Sequence, residues 1–451
     1  MTPSAAPLDL AAHRAKLASA SPKSAWKEIR QLALHGRGDA LELAAEFAEI
    51  AQPGPDDLLK LWPQALDPDG FAEHLLAPAF DAEGRDHLEV RRRDSLTGLR
   101  HLTTLRTLRL DHCKGLTDLS ELAALTGLID LELDGCAAVS DLRPLSGLVA
   151  LEAVSLLSCT RVSDISPLLG LHRLRRLDLR SSGVTGVAGA GAAFPRLEYL
   201  SLNNCRFIDD VSPLSGLSRL TELDVSRTKI TSIEGLRDLG SVTVLTMHCA
   251  RLTDLGGIAA MPALETLWLE GCTNLKSLDG LGHHPRLTTL GLPSAPIPDL
   301  RPLSRVPALT RLTIERFQRF TSLDGLEGHP SIAEVHLCYT TDLRDFSALA
   351  RMPALRDLTL QGLDQLADLV PFSGLRQLES LRVVYTDTLR TLGDLEKLPA
   401  LRTLELDSCG VLRDLGTAED LPSLKEVLVE ECPALPAAVL DGLRARGLLT
   451  S

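Results

Sequence analysis

The feature that most constrains this chain is a nine-residue frame that returns through most of its length. Residues 128–136 read Leu-Ile-Asp-Leu-Glu-Leu-Asp-Gly-Cys, which gives the pattern L-x-x-L-x-L-x-x-C. One such unit cannot bury its own leucines, so the copies must stack around one elongated core. Fifteen copies follow one another at intervals of 22 or 23 residues, and they begin at Leu105, Leu128, Leu151, Leu174, Leu197, Leu220, Val242, Leu264, Leu287, Leu309, Ile332, Leu355, Leu378, Leu401 and Leu424.

The central L-x-L of each copy predicts a short β-strand. Strand alternation turns Leu131 and Leu133 towards the core, while Asp130, Glu132 and Asp134 point to the other side. Stacked copies therefore form a parallel sheet with a row of variable residues in front. A period of this length with a strand at its centre is the pattern of a leucine-rich repeat, so we expect an α/β solenoid.

The second part of each copy predicts a short helix or 3-10 turn. Residues 162–168 read Val-Ser-Asp-Ile-Ser-Pro-Leu, and proline suits the first turn of a helix because its missing N–H is not needed there. Proline recurs at this position at 144, 167, 213, 302 and 371, and glycine takes it at 235, 257, 280 and 325. Helical turns occupy more width than strands, so we expect the strand side to be concave and the turns to be convex.

The D-[LI]-x-P-L segment, as in residues 164–168, resembles the back half of the internalin-type repeat of bacterial leucine-rich-repeat proteins. This resemblance covers roughly three-quarters of the chain. It implies a curved solenoid whose inner sheet binds another macromolecule. Internalins carry export signals and usually have Asn where this chain often has Cys, so their role at the host surface is not carried over.

The residues before and after the repeats predict helices, which give three regions. Residues 1–85 form an α-helical N-terminal cap or a separate docking module, residues 86–435 form the solenoid, and residues 436–451 form a C-terminal capping helix. Ser21-Pro22 predicts a helix start, and Leu88 and Val90 predict an irregular first strand. A cap is favoured because a terminal repeat would otherwise expose its leucines to water.

The repeat that begins at Leu174 departs most from the frame. It has Ser182 where other copies have Cys, and residues 189–193 read Gly-Ala-Gly-Ala-Ala in place of leucine-rich packing. These changes predict a local irregularity or bend, with a hinge as the alternative.

Composition excludes some classes of partner. The formal net charge of −13 and the pI near 5.4 argue against nucleic acid, which requires a basic surface. The first ten residues lack a secretion signal, and no apolar stretch approaches membrane length. The sequence therefore predicts a cytoplasmic protein that does not bind membranes, and its excess of Arg over Lys with abundant Ala suggests a bacterium of high genomic GC content.

All nine cysteines lie inside the repeats, and seven of them close the strand frame. This regularity predicts buried thiols that serve packing, with neither disulfides nor a metal site. The sequence gives no sign of a cofactor, since the motifs of phosphate-binding and hydrolase sites are absent from it.

The sequence predicts a non-enzymatic protein. The one enzymatic alternative is an activated thiolate formed by Cys338 and His336 on one strand, with Asp357 expected on the adjacent strand. The loop pair His283 and His284 is expected to face solvent. If strand alternation continues as far as His112, its side chain is expected to diverge from that of Asp111, because consecutive strand residues point to opposite faces.

The strongest functional signal is the set of large residues on the front of the predicted sheet. Tyr and Trp are rare here, and Tyr, Trp and Arg dominate the hot spots of protein interfaces. Incidental surface aromatics are the alternative, because strands favour aromatic residues anyway. The predicted partner-binding residues are Tyr199, Trp268, Arg311, Glu315, His336 and Arg382 on the face, with Arg316, Tyr339 and Tyr385 on its rim.

Both ends of this front row are acidic, with Asp111, Asp130, Glu132 and Asp134 near the start and Glu405, Asp407, Glu426 and Glu430 near the end. The acidic ends favour a protein partner with basic patches. The sequence therefore predicts a scaffold that binds a protein on its concave face. The alternative is a regulatory or sensor subunit that positions an enzyme or signalling switch, with the N-terminal helices as a second contact.

Overall fold

The computed structural model describes residues 8–450, apart from 283, 317–320, 364, 373, 394, 396–397 and 419–420. The chain divides into two compact units, Met1–Leu197 and Glu198–Ser451. We call them unit 1 and unit 2.

Unit 1 begins with short helices. Ser21 caps the second of these helices by accepting a hydrogen bond from the Ser24 amide at 3.4 Å, and Pro22 is the first helical residue, as predicted. The helices are α1 Leu10–Ala15, α2 Pro22–His35, α3 Asp39–Ala51, α4 Pro55–Leu61, α5 Pro68–Phe71 and α6 Ala77–Glu83, with a π-helical turn at Ala72–Leu76 between the last two.

These helices pack directly on the first repeat of unit 1. The buried Trp62 indole donates hydrogen bonds to the carbonyls of Pro68 at 3.1 Å and Thr97 at 3.2 Å. The guanidinium of Arg93 lies 4.1 Å from the centre of the Trp62 ring, and Arg100 forms an ion pair with Asp69 at 3.6 Å. The apolar side of the helices therefore covers the start of the repeat core.

The repeats of unit 1 supply parallel strands, each hydrogen-bonded to the next: β1 His87–Arg91, β2 Thr107–Asp111, β3 Asp130–Glu132, β4 Ala153–Ser155 and β5 Arg176–Asp178. The predicted first strand at Leu88 and Val90 is confirmed as β1. In the irregular repeat a short helix, α7 Ala190–Ala193, replaces the usual 3-10 turn, and Ser182 is buried in the cysteine position. Unit 1 ends directly after this repeat.

Unit 2 continues the same architecture. Neighbouring strands pair in parallel, and their inward leucine, isoleucine and valine side chains are buried. The strands are β6 Tyr199–Ser201, β7 Glu222–Asp224, β8 Val244–Thr246, β9 Thr266–Trp268, β10 Thr289–Leu292, β11 Arg311–Glu315, β12 Glu334–Cys338, β13 Asp357–Gln361, β14 Ser380–Val384, β15 Thr403–Asp407, β16 Glu426–Glu430 and β17 Leu449–Thr450. The sequence predicted the first eleven of these strands but not β17.

A C-terminal helix precedes the last strand of unit 2. Helix α8, Ala437–Ala445, lies within the region 436–451 that was predicted to be helical, and Gly447 after it adopts a left-handed φ of 68°. Strand β17 then pairs with β16 through Leu449 and Thr450.

Aspartate caps many of the 3-10 turns behind the strands. The Oδ1 atoms of Asp118, Asp164 and Asp210 each accept a hydrogen bond of 2.8 Å from the amide two residues later. This contact satisfies an N–H that the short turn leaves unpaired, which explains the Asp of the D-[LI]-x-P-L segment.

Most of the cysteines are buried, as the sequence predicts. Seven of the nine thiols lie in the core, and Cys338 and Cys432 are half-buried. The Cys159 thiol donates to the Leu133 carbonyl at 3.0 Å, and the Cys272 thiol donates to the Met247 carbonyl at 2.9 Å, each one repeat earlier. Burial raises the pKa of each of these two thiols to about 12, so both stay neutral.

Two predictions about histidines are wrong. His284 is only 2% exposed, because its position belongs to the apolar core in other repeats, where Met261, Val306 and Met352 occupy it; His283 lies outside the described residues. His112 adopts a left-handed φ of 53°, which breaks strand alternation, and its ring nitrogen contacts the Asp111 carboxylate instead of diverging from it.

Candidate protein-binding face

From β6 to β16, the first and third residues of each strand, and the fifth residue where the strand has five, form the open side of the sheet, which we call the front face. The register places Trp268, Gly291, Thr313, His336, Thr359, Arg382 and Glu405 in one row across neighbouring strands. Arg311 lies in the first-position row and Glu315 in the fifth. Tyr199 begins β6, in the same row as Thr266 but three strands before it.

A second set of residues follows the strands and forms the edge of the front face. Arg316, Tyr339 and Tyr385 have φ angles of 53°, 54° and 51°, in the left-handed region that costs a non-glycine residue about 1–2 kcal/mol. Each amide donates to a carbonyl of the next strand, at 2.7 Å to Cys338, 2.6 Å to Gln361 and 3.0 Å to Asp407. We call Arg316, Tyr339, Gly362, Tyr385, Ser408 and Glu431 the rim row. The structure thus brings the predicted residues to one side of unit 2, although Tyr199 lies apart from the rest.

Trp268 lies flat on the sheet. A Cβ atom at Gly291, on the next strand, would overlap both the Trp268 ring and the Glu270 carboxylate. The absence of a side chain at position 291 therefore gives the indole its place. Trp268 is half-buried and its ring lies on the front face instead of in the leucine core.

Tyr339 uses the same arrangement in the rim row. Its ring lies where a side chain at Gly362 would be, and its hydroxyl accepts a hydrogen bond from the Gln361 amide group at 3.1 Å. The Arg316 guanidinium lies 6.0 Å from the ring centre, which is a cation–π distance. Tyr339 is thus held by its neighbours and remains 38% exposed.

Tyr385 is the most exposed aromatic of the set, at 52%. Its side chain forms no hydrogen bond, ring contact or cation contact with any described residue. A tyrosine in this state exposes a large apolar ring to water without a compensating contact within the chain.

The charged residues of the front face pair across strands. Glu334 accepts hydrogen bonds from Arg311 at 2.6 Å and His336 at 2.7 Å, and Arg382 forms an ion pair with Glu405 at 3.0 Å. Burial raises the pKa of Glu334, but the hydrogen bonds from Arg311 and His336, together with the charge of Arg311, outweigh this effect and lower the pKa below its ordinary value. Sequence reasoning missed Glu334, although its place as the first strand residue of its repeat could have identified it.

The geometry does not favour an activated thiolate at Cys338. Burial, together with the charge of Glu315, raises the pKa of this thiol to about 11, which is opposite to the shift that a nucleophilic cysteine needs. Asp357 lies on the adjacent strand as expected, but it is in register with Glu334, and His336 is bonded to Glu334.

The two acidic stretches of the front row differ in their pairing. In unit 1, Arg109 lies 3.3 Å from Glu132, Arg91 lies 3.8 Å from Asp111, and the Ser155 hydroxyl donates to Asp134 at 2.6 Å. In unit 2, only Glu405 of the stretch has a cationic partner. The carboxylates of Asp407, Glu426, Glu430 and Glu431 form no ion pair with any residue that the structure describes.

The described part of the chain holds no cluster of three or more His, Cys, Asp or Glu residues arranged to bind a metal ion. None of its helices is both long and apolar enough to cross a membrane.

Comparison with known proteins agrees with this architecture. Residues 195–238 match the family model for leucine-rich repeats in two copies. No characterised protein is significantly similar to the whole sequence. The chain therefore contains leucine-rich repeats and has the fold of a leucine-rich-repeat solenoid, as the repeat frame predicts.

Solved structures show the same fold at low sequence identity. A leucine-rich-repeat protein of Leptospira interrogans is 19% identical with a TM-score of 0.53, and the match covers 78% of this chain and 98% of that one. The protein of a TLR13–ssRNA13 complex is 17% identical with a TM-score of 0.59, and the match covers 80% of this chain and 60% of that one. The internalin inlF of Listeria monocytogenes is 19% identical with a TM-score of 0.49, and coverage is 72% and 93%.

Proposed function

We propose that this chain is a non-enzymatic scaffold that binds a protein partner on the front face of unit 2. One observation supports this proposal most strongly. Trp268, Tyr339 and Tyr385 lie on the same side of one sheet, outside the leucine core, where their rings do not contribute to its packing. Large aromatic side chains in such positions are typical anchors of protein interfaces.

The rigidity of the sheet favours tight binding without rearrangement. Register hydrogen bonds hold each strand, and Gly291 and Gly362 hold two of the rings flat. A surface already in its binding conformation loses little conformational entropy when the partner docks. The proposal extends to a cytoplasmic protein partner with basic patches. Nucleic acid is the ligand in the TLR13 complex, but the acidic front face here would repel phosphates.

We propose that the helices of residues 1–85 act as the N-terminal cap. The contacts of Trp62 with Thr97 and Arg93 support this role, because they seal the helices onto the first repeat. At the other end, the pairing of β17 with β16 and the burial of Leu443 support a capping role for residues 436–451. A cap explains both regions more simply than the regulatory alternative does.

The combined variant Trp268→Ala, Tyr339→Ala and Tyr385→Ala tests the proposed function. We expect the variant to capture at least tenfold less of the partner than the wild type does, because truncation of a hot-spot residue weakens binding by about 2 kcal/mol or more. The measurement is quantitative capture of proteins from a lysate of the source organism on immobilised wild type and variant. Circular dichroism and thermal unfolding should match the wild type, since the three side chains lie outside the core.

The matched control is Val149→Ala, Phe207→Ala and Val370→Ala. These three exposed apolar side chains lie outside the strands, so their removal deletes a comparable surface elsewhere. An unchanged partner set with the front-face variant, or an equal loss with the control, would contradict the proposal.

A further inference from the structure

Within the rim row, an arginine of the chain already lies against a tyrosine ring. Along the row, the Arg316 guanidinium lies over the ring of Tyr339, and that ring occupies the space where a side chain at Gly362 would be. Tyr339 therefore already has a cation–π partner within the chain.

Tyr385 lies at the equivalent position two strands later, but its surroundings differ. The residue before it in the rim row is Gly362, which has no side chain to place over the ring, whereas Tyr339 is preceded by Arg316. The ring of Tyr385 thus lacks the cation that its counterpart has, and it is the more exposed of the two.

Carboxylates without cationic partners follow Tyr385 on the next two strands. Asp407 and Glu430 are in register on β15 and β16, and the Tyr385 amide is bonded to the Asp407 carbonyl, so these groups lie within one or two strand spacings of about 4.8 Å. The Ser408 hydroxyl lies 2.9 Å from the Asp407 carboxylate and 3.1 Å from that of Glu431, which links the two. The combination is an open ring face beside unpaired negative charge.

We propose that an extended, arginine-rich segment of the protein partner crosses β14–β16 and places one guanidinium on the ring of Tyr385, where it also pairs with Asp407, Glu430 or Glu431. This inference rests on the proposed function and identifies its partner chemistry. Arginine fits better than lysine because its planar guanidinium stacks on a ring and binds carboxylates through two parallel hydrogen bonds. The acidic stretch of unit 1 is a weaker candidate, because arginines of its own strands neutralise much of it.

The test uses a fluorescein-labelled octapeptide of alternating Arg and Gly, with a citrulline version as its neutral equivalent, and measures binding by fluorescence anisotropy. We expect saturable binding of the arginine peptide that weakens as salt rises, and much weaker binding of the citrulline peptide. Tyr385→Ala should weaken binding by about five- to tenfold, while Tyr385→Phe should stay within about twofold because it keeps the ring.

The triple variant Asp407→Asn, Glu430→Gln and Glu431→Gln should weaken binding at least tenfold. The control Glu42→Gln, Glu73→Gln and Glu83→Gln changes net charge equally at exposed positions of unit 1 and should have no effect. Equal loss in the control, unchanged affinity in Tyr385→Ala, equal binding of the citrulline peptide, or competition by an RNA oligonucleotide at this face would overturn the inference. Should the peptide fail to bind while the aromatic triple variant still loses its partner, this inference is wrong and the proposed function stands.

Discussion

Replacing Gly257 with alanine is expected to lower the free energy of unfolding by about 3 kcal/mol or more. Gly257 is buried in the 3-10 turn Gly256–Ala260, and a Cβ atom there would overlap the carbonyl group of Ile233 in the preceding repeat. The clash is with backbone, which moves only if two stacked repeats separate. Urea unfolding monitored by circular dichroism measures the effect.

The neighbouring Gly256 provides the control. A Cβ atom at that position would come no closer than 3.3 Å, to the Asp254 carboxylate, and its next contacts are near the ordinary distance. Gly256→Ala should therefore change stability by less than about 0.5 kcal/mol. Similar destabilisation by both variants would show that the turns are not stacked as closely as described.

The second large effect is a gain in stability from replacing two buried histidines. His284 and His329 are 2% and 4% exposed, and His284 Nδ1 and His329 Nε2 make no hydrogen bond with a described residue. Each leaves a polar atom unpaired where Met261 and Met352 lie in other repeats. We expect the variant His284→Met with His329→Met to raise the free energy of unfolding by about 1–3 kcal/mol at pH 7. The gain is limited because His284 Nε2 also lies 3.2 Å from the Ile258 carbonyl and the Ser331 amide donates to His329 Nδ1 at 3.4 Å. His87→Met, at an exposed position, should have almost no effect.

The gain in the free energy of unfolding from these two substitutions should increase as the pH falls. Burial lowers the pKa of His329 below its ordinary value, and the nearby carbonyls of Val306 and Leu303 offset this effect only in part. Below about pH 6.5 the unfolded chain therefore takes up a proton that folded His329 does not, so acid destabilises the wild type. The methionine variant has no histidine at position 329, so its stability lacks this dependence on pH. The free energy of unfolding of the wild type and the variant would be measured at pH 7.5 and pH 5. A difference between the two proteins that is smaller at pH 5 would contradict the burial of His329.

The repeat frame was sufficient to predict strands β2 to β16, because a fixed period and L-x-L alternation leave only one way to stack the leucines. It also placed Trp268, Arg311, His336 and Arg382 correctly on the front face. The rim position of Tyr339 and Tyr385 was predicted as well, since both residues follow the last strand residue directly.

Other features depend on neighbours that one repeat does not reveal. The flat packing of Trp268 requires a glycine at 291, and the pairing of Glu334 with both Arg311 and His336 requires the register of three strands. His112 failed the alternation rule because its left-handed φ turns it towards Asp111. Which acidic groups lack cationic partners likewise follows only from the contacts between repeats.

Site-specific photocrosslinking tests most directly whether the front face of unit 2 binds the partner. Benzoylphenylalanine would be introduced at the positions of Trp268 and Tyr385, and at the position of Phe207 as an exposed site outside the strands. We expect the partner to be crosslinked from the first two positions and not from the third. Crosslinks to the partner from Phe207 with none from Trp268 or Tyr385 would place the interface elsewhere and contradict the proposed function.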